Sequence, residues 1–108
     1  MIDVRDVAKA HVLALSAPAI PGINKRLLVS SGTFKWRTTA DLIRTARPEL
    51  ASRLPAEGDK AMVQTRAPMD ISLAAKVIGM HEDDYIRWDE TMLTTIGTVI
   101  TWEQTVEA

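Results

Sequence analysis

The sequence predicts a small, helix-rich α/β domain, and three observations support this fold class. Apolar residues recur with a helical period in residues 7–17 and 36–47. The apolar run at residues 27–29 is typical of a strand that is covered on both faces. The chain has 108 residues, of which 46% are apolar and 25% charged, and this suits one modest hydrophobic core. We therefore expect residues 1–108 to form one domain at most.

The first predicted elements are a short strand and a nearly all-apolar helix. Residues 1–4 alternate apolar and polar side chains, as a strand does. Asp6 is the predicted N-cap of a helix over residues 7–17, because its carboxylate can accept hydrogen bonds from the free amides of the first turn. Pro18 ends this helix. Its surface is polar mainly at Lys9, His11 and Ser16. Such a helix is normally buried on several sides.

A turn at residues 18–22 leads into the predicted strand at 27–29, and Gly32 ends this segment. The clearest amphipathic helix follows at residues 36–47 and is closed by Pro48. Its predicted polar face holds Arg37, Asp41 and Arg44. Its predicted apolar face holds Trp36, Thr39, Leu42, Ile43 and Ala46.

The second half of the chain is predicted to be loop and helix. Residues 52–68 have no clear period, and we expect mostly loop there, with a short strand near 61–65. Asp70 is predicted to cap a short helix at 71–78, and Gly79 to supply its left-handed C-terminal residue.

The last segment allows two structures. An apolar stripe at helical spacing predicts a final helix, with Asp89 and Glu90 favourably placed in its first turn. The stripe consists of Trp88, Met92, Ile96, Val99 and Ile100. Residues 94–101 are rich in β-branched side chains and contain Gly97, so a strand there stays an alternative.

The formal net charge of −1 indicates neither nucleic-acid nor membrane binding. Residues 25–53 contain seven basic and two acidic side chains, whereas residues 81–108 contain one basic and seven acidic side chains. This asymmetry can mark an anionic partner, but two oppositely charged solvated faces are the simpler interpretation. We predict no nucleic-acid partner.

The residue types also exclude several classes of protein. Without cysteine, the sequence offers no disulfide framework, thiol catalysis or zinc–thiolate site. Its apolar runs are far shorter than the roughly 20 residues of a membrane-spanning helix. Residues 1–6 do not resemble a secretory signal, so we expect a cytoplasmic location and no membrane partner.

Two motifs that could carry cofactor binding or proton transfer are absent. The five glycines are never closer than ten residues apart, so the Gly-rich turn that lets backbone amides approach a pyrophosphate is missing. A tyrosine followed four residues later by lysine could provide a proton donor and its activating cation. The single tyrosine is Tyr85, and position 89 is Asp.

Other candidate residues favour structural roles. His81, Asp83 and Asp84 could bind a divalent ion weakly, but a solvated loop is favoured. We interpret His11 as a satisfied buried histidine rather than a ligand or base. Asp3 and Asp6 could form an acid/base pair, although a helix cap and an ordinary hydrogen-bonded carboxylate explain them more simply. We predict core positions for Trp36, Trp88 and Trp102, with a ligand groove as the alternative.

Several segments, in their order along the chain, resemble the extended short-chain dehydrogenase/reductase family, part of the NAD-dependent epimerase/dehydratase superfamily. Residues 2–15 resemble its "hydrophobic-Asp-Val-Arg-Asp-Val-Ala" segment with the following Ala-His. The resemblance is strongest to aldehyde and ketone reductases related to dihydroflavonol reductase and methylglyoxal reductase. It continues at residues 25–30, 34–36, 41–44, 48–50, 54–55, 70–72, 76–79 and 89–91. Lys35, Leu73 and residues 56–69 depart from the family pattern.

The resemblance implies the C-terminal part of a Rossmann-type reductase, consisting of one edge strand and the substrate-side region. Because the family's nucleotide loop and Tyr-Lys pair lie upstream, we assign no catalytic, cofactor or metal residue to this chain. We expect it to be inactive alone and to bind no cofactor, whereas the full-length family implies NADP(H) and a small carbonyl substrate. Partners would be a second copy or a missing nucleotide-binding domain. The alternative is a stand-alone binding module that has kept the shape without the chemistry.

Overall fold

The computed structural model describes residues 1–22, 26–58 and 67–107, and in these ranges its regular structure is helical. The described ranges contain four α-helices: α1 (Val4–Ser16), α2 (Trp36–Ala46), α3 (Ser72–Ile78) and α4 (Trp88–Glu107). The same ranges contain two 3₁₀ helices, Pro48–Arg53 and Glu82–Asp84. The chain divides into two compact units, each built from two separate stretches.

Two of the predicted strands lie within the described residues, and neither of them is present in the structure. The strand expected at residues 1–4 is wrong, because α1 already begins at Val4. The segment 27–29 is not a strand either, and Leu28 is 53% exposed while Leu27 and Val29 are half-buried. Met1 bonds instead to residues just after this segment: its carbonyl accepts from Ser31 N at 2.9 Å, and its ammonium group donates to Gly32 O at 3.0 Å. A strand needs a neighbour along its length, which the described residues do not supply. The strand expected near 61–65 lies outside the described residues.

The first unit comprises Met1–Gly32 and Ala67–Trp88, and α1 packs against α3 within it. Its buried apolar cluster consists of Ala10, Ala74, Ile78, Met80 and Tyr85. The predicted helix at 71–78 is confirmed as Ser72–Ile78. Gly79 ends it with φ of +70°, the left-handed conformation predicted for this position. Asp70 accepts a hydrogen bond from Ser72 N at 2.9 Å, although Ile71 occupies the N-cap position.

The second unit comprises Thr33–Arg66 and Asp89–Ala108, and α2 packs there against the first 3₁₀ helix. The helix predicted at 36–47 is confirmed as Trp36–Ala46. Pro48 does more than end it, because it opens the 3₁₀ helix, where its missing N–H costs nothing. The predicted apolar face was partly wrong, since Trp36 and Ala46 are exposed. The residues that α2 buries are Thr39, Ala40 and Ile43.

Helix α4 runs from Trp88 to Glu107, so the strand alternative for residues 94–101 is wrong. Threonine tolerates a helix when its hydroxyl bonds to the carbonyl four residues earlier. Such hydrogen bonds form at Thr95, Thr98, Thr101 and Thr105, with oxygen-to-oxygen distances of 2.7–3.0 Å. Gly97 lies within the same helix. None of the four α-helices described is both long and apolar enough to cross a membrane.

Candidate functional site

Two buried carboxylates occupy the start of α1, and their predicted roles are exchanged. Asp3, not Asp6, is the N-cap, and its side chain accepts from Arg5 N at 2.9 Å. The Arg5 guanidinium also donates to both carboxylate oxygens of Asp3, each at a distance of 2.9 Å. Predicting Asp6 as the cap failed because α1 starts three residues earlier than the apolar period alone indicated.

Asp6 links the segment after the second 3₁₀ helix to α1 through a hydrogen bond. Its Oδ2 accepts a hydrogen bond from Ile86 N at 2.8 Å, across 80 residues of sequence. The side chain is almost fully buried, with 3% of the residue exposed. Asp3 and Asp6 are thus one helix cap and one hydrogen-bonded carboxylate, as the simpler interpretation held. Each carboxylate already has a structural partner.

Tyr85 lies in the buried cluster beside this attachment and is 6% exposed. Within the described part of the chain its hydroxyl has no hydrogen-bond partner. Burial raises the pKa of this phenol, and the negative charges of Asp6 and Asp84 raise the pKa further. A general acid or base needs the opposite environment, with a pKa close to the working pH and access to substrate. Tyr85 is therefore a core residue, which the sequence pattern did not reveal.

The residues at 81–84 do not form a metal site. His81 N donates to Asp84 Oδ2 at 2.9 Å, and Asp84 N donates back to the His81 carbonyl at 3.0 Å. This reciprocal pair closes the 3₁₀ helix and occupies one oxygen of the Asp84 carboxylate. Throughout residues 1–22, 26–58 and 67–107, no group of three or more His, Asp and Glu side chains could hold a metal ion.

His11 is exposed, so the prediction of a buried histidine is wrong. Its Nδ1 lies 2.7 Å from the Val7 carbonyl oxygen, which accepts a hydrogen bond when Nδ1 carries the proton. The error came from treating α1 as apolar all round. One side of α1 is buried, and His11 lies off that side.

An apolar cleft of about 240 Å³ opens beside His11 in the first unit. It lies between α1, the segment before Ser30 and the end of α3. The cleft is lined by Ala10, His11, Ala14, Ala17, Leu27, Val29 and Ile78. Its walls supply little besides aliphatic surface, which suits an apolar side chain better than a polar ligand.

The side of α1 next to the apolar cleft faces solvent although it is aliphatic. Val4 is 78% exposed, Val12 65% and Leu15 88%. Together with the exposed Ala8 they form one helical stripe, here called the outer face of α1. Leaving three branched aliphatic side chains in water forgoes roughly 1.5–3 kcal/mol of burial each. The outer face and the apolar cleft together are the candidate functional site, a surface for contact rather than for chemistry.

The three tryptophans do not build this site. Trp36 is 50% exposed and Trp102 is 63% exposed, so the prediction of core positions is wrong for both. Trp36 instead packs edge-on against Phe34, with ring centroids 4.8 Å apart. Trp88 is half-buried.

The residues present do not fit a dinucleotide cofactor. With glycines at least ten residues apart, the chain lacks the close turn that would let its amides meet a pyrophosphate. Tyr85 is enclosed, and Asp rather than Lys follows it four positions later.

Sequence comparison relates the chain to two reductases. It is 39% identical over 101 residues to the ketoreductase azaE of Aspergillus niger, which covers 93% of this chain and 27% of azaE. It is 47% identical over 58 residues to a protein of Candida albicans named as an NADPH-dependent methylglyoxal reductase. This second match covers 54% of the chain and 16% of that protein.

The chain thus spans less than a third of the length of either relative. No protein-family model matches the chain. No solved structure matches it either. The two relatives indicate a reductase-family origin.

Proposed function

We propose that this chain is the C-terminal, substrate-side part of an NAD(P)-dependent aldehyde or ketone reductase and is inactive alone. The observation that carries the proposal is the extent of the match to azaE, which takes in 93% of this chain but 27% of the relative. A similarity spread along nearly the whole chain favours a shared fold over a short shared motif.

The outer face of α1 and the apolar cleft support this proposal. Val12 and Leu15 are more exposed than side chains of this size normally are in a finished domain. In the proposed reductase, the nucleotide-binding domain covers them. The unpaired segment at 27–29, with Leu28 turned to solvent, then gains the neighbouring strand that it lacks here.

The chemistry of the described residues agrees with inactivity. Reduction of a carbonyl group needs a hydride donor and a proton donor that reaches the oxygen. The chain's single phenol, on Tyr85, is enclosed and has a raised pKa. NADPH as cofactor and a small carbonyl compound as substrate belong to the whole reductase, as the name of the Candida albicans relative indicates.

Two measurements test the proposal. Alone, the chain should neither oxidise NADPH in the presence of methylglyoxal nor bind NADPH at micromolar concentration in a calorimeter. Replacing the 101-residue matching region of azaE with this chain should give a soluble chimera that keeps ketoreductase activity. A chimera that behaves like the reductase with that region deleted would overturn the proposal.

A matched pair of variants locates the contact within the chimera. Leu15→Asp places a charge on the outer face of α1 and should abolish folding or turnover. Val106→Asp places the same charge on an exposed valine of α4 and should leave turnover unchanged. Equal tolerance of both changes would show that the outer face is not covered, and would favour the stand-alone binding module.

A further inference from the structure

His11 is a polar side chain placed where the outer face of α1 meets the apolar cleft. It lies three residues after Ala8 and four before Leu15, so it shares their side of the helix. It also lines the cleft, and every other residue described in that lining is aliphatic. A surface that covers this apolar region must therefore cover an imidazole as well.

The hydrogen bond of His11 within α1 determines which of its nitrogens is left for a partner. Nδ1 lies 2.7 Å from the Val7 carbonyl oxygen. Because a carbonyl oxygen only accepts, this contact is a hydrogen bond when Nδ1 carries the proton, and the neutral ring then presents Nε2 as an acceptor. His11 is exposed, so water can donate to Nε2. A covering surface that removes this water must supply a donor, because an acceptor buried without a partner is unfavourable.

The other walls of the cleft bring no charge towards His11. They contribute Leu27, Val29 and Ile78. Among the described residues, the charged neighbours of these walls in sequence are Arg26 and Lys76, which are exposed and do not line the cleft. Lys9 lies two residues before His11 on α1 and so points away from it. No carboxylate in the described lining would therefore stabilise a protonated imidazole once the region is covered.

We propose that His11 Nε2 accepts a hydrogen bond from the part of the reductase that covers the outer face of α1, and that acid weakens this contact. The contact rests on the proposed function, since this chain spans 27% of azaE and the remaining polypeptide supplies the covering surface. An apolar side chain of that part fills the cleft, and a backbone N–H or a hydroxyl beside it donates to Nε2.

The direction of the pH dependence follows from the two forms of the imidazole. The neutral ring accepts at Nε2 and fits apolar surroundings. Protonation turns Nε2 into a donor and places a charge there, which is unfavourable without a counter-ion. The contact is therefore stable at neutral pH and weakens as pH falls through about 6.5, the range in which an ordinary histidine becomes charged.

The test uses the azaE chimera with His11→Gln and His11→Leu, each melted at about pH 7.5 and about pH 5. Glutamine keeps an acceptor at a similar reach but does not titrate in this range, whereas leucine keeps only apolar surface. At the higher pH, we expect the unchanged chimera to be the most stable and His11→Leu to melt about 2 °C or more below it. At the lower pH, the unchanged chimera should melt below His11→Gln.

Two controls locate this effect. In the isolated chain His11 is exposed, so His11→Gln should shift the melting temperature equally at both pH values. His81→Gln changes the other histidine, which does not line the cleft, and in the chimera it should also shift melting equally at both pH values.

The outcomes separate this contact from the proposed function. A chimera without ketoreductase activity would overturn the proposed function, and the His11 contact with it. An active chimera in which the order of His11 and His11→Gln is the same at both pH values would overturn the contact alone. The same holds if His11→Leu is as stable as the unchanged chimera at the higher pH. A crossing that also occurs in the isolated chain would show that His11 responds to its own chain and not to a covering part.

Discussion

The two units reach their folded state by different means. The first unit has a contiguous buried cluster that includes Ala74 and Met80, both with no exposed surface. Its Asp6–Ile86 hydrogen bond joins residues distant in sequence, and it engages a carboxylate that is almost fully buried. Among its described residues, the second unit buries three side chains, all on α2. An exposed ion pair, Arg53–Glu103, ties its first 3₁₀ helix to α4.

This difference predicts how each unit responds to its surroundings. Burial of apolar surface depends little on pH or salt, whereas exposed ion pairs are weakened by both acid and salt. The second unit also retains an opening of about 180 Å³ between α2, the first 3₁₀ helix and α4, lined in part by Ile43, Leu54 and Ile100. We expect the first unit to unfold later than the second.

The largest loss of stability should come from truncating a buried side chain in the first unit's apolar cluster. Met80 is fully buried, so Met80→Ala should lower the free energy of unfolding by about 2–5 kcal/mol. Met69→Ala is the control, because Met69 is 59% exposed and leaves no cavity. Urea unfolding followed by circular dichroism measures both variants. A loss at Met80 no larger than at Met69 would contradict the packing described for this unit.

The next effect concerns the buried carboxylate that joins the ends of the first unit. Asp6→Ala removes the acceptor of Ile86 N and should cost about 1–3 kcal/mol. Asp6→Asn keeps an oxygen in the same place and should cost clearly less. Asp3→Ala should cost about 0.5–2 kcal/mol, the usual range for a lost N-cap. Thermal unfolding ranks the three variants, and a neutral Asp6→Ala would show that the bond contributes little.

Sequence pattern predicted the elements whose periodicity is local. The helix at α2, the short helix α3 and the left-handed Gly79 were all confirmed, because helical period and C-terminal glycine chemistry are properties of a few neighbouring residues. The strands at 1–4 and 27–29 were not found. Strand formation depends on a neighbour elsewhere, which the pattern of one segment cannot supply.

Burial was harder to predict than helical structure. Trp36 and Trp102 are large aromatic residues of the kind expected in a core, yet both are exposed. His11 lies on an apolar helix, yet it faces out. Amphipathicity shows which residues share a face, but it does not show whether anything covers that face. The role of Asp6 could not be predicted either, since its partner Ile86 is 80 residues away.

A pair of glycine variants should give smaller effects of opposite sign in the two units. Gly79 has φ of +70° and no atom within 4 Å of an added Cβ, so Gly79→Ala should cost about 1–2 kcal/mol through the backbone alone. Gly97 lies within α4, where an added Cβ also meets nothing, so Gly97→Ala should stabilise by about 0.5–1 kcal/mol. Melting temperatures should move in opposite directions. A shift in the same direction would contradict one of the two backbone assignments.

The smallest effect, and the one that separates the units by pH, concerns Glu103. Its hydrogen bonds with Arg53 lower the pKa of the Glu103 carboxyl below its ordinary 4.5. A carboxyl with a lowered pKa in the folded state contributes stability above its unfolded pKa and loses it as pH falls through the lowered value. Glu103→Gln should therefore melt slightly below the wild type at pH 7, and the difference should shrink towards pH 3. High salt should shrink the difference as well, because the pair is exposed.

Glu82→Gln, an exposed change in the first unit, should show no such trend. Differential scanning calorimetry at both pH values and two salt concentrations measures the difference, and a gap that widens in acid would mean that Arg53 does not stabilise the second unit through Glu103.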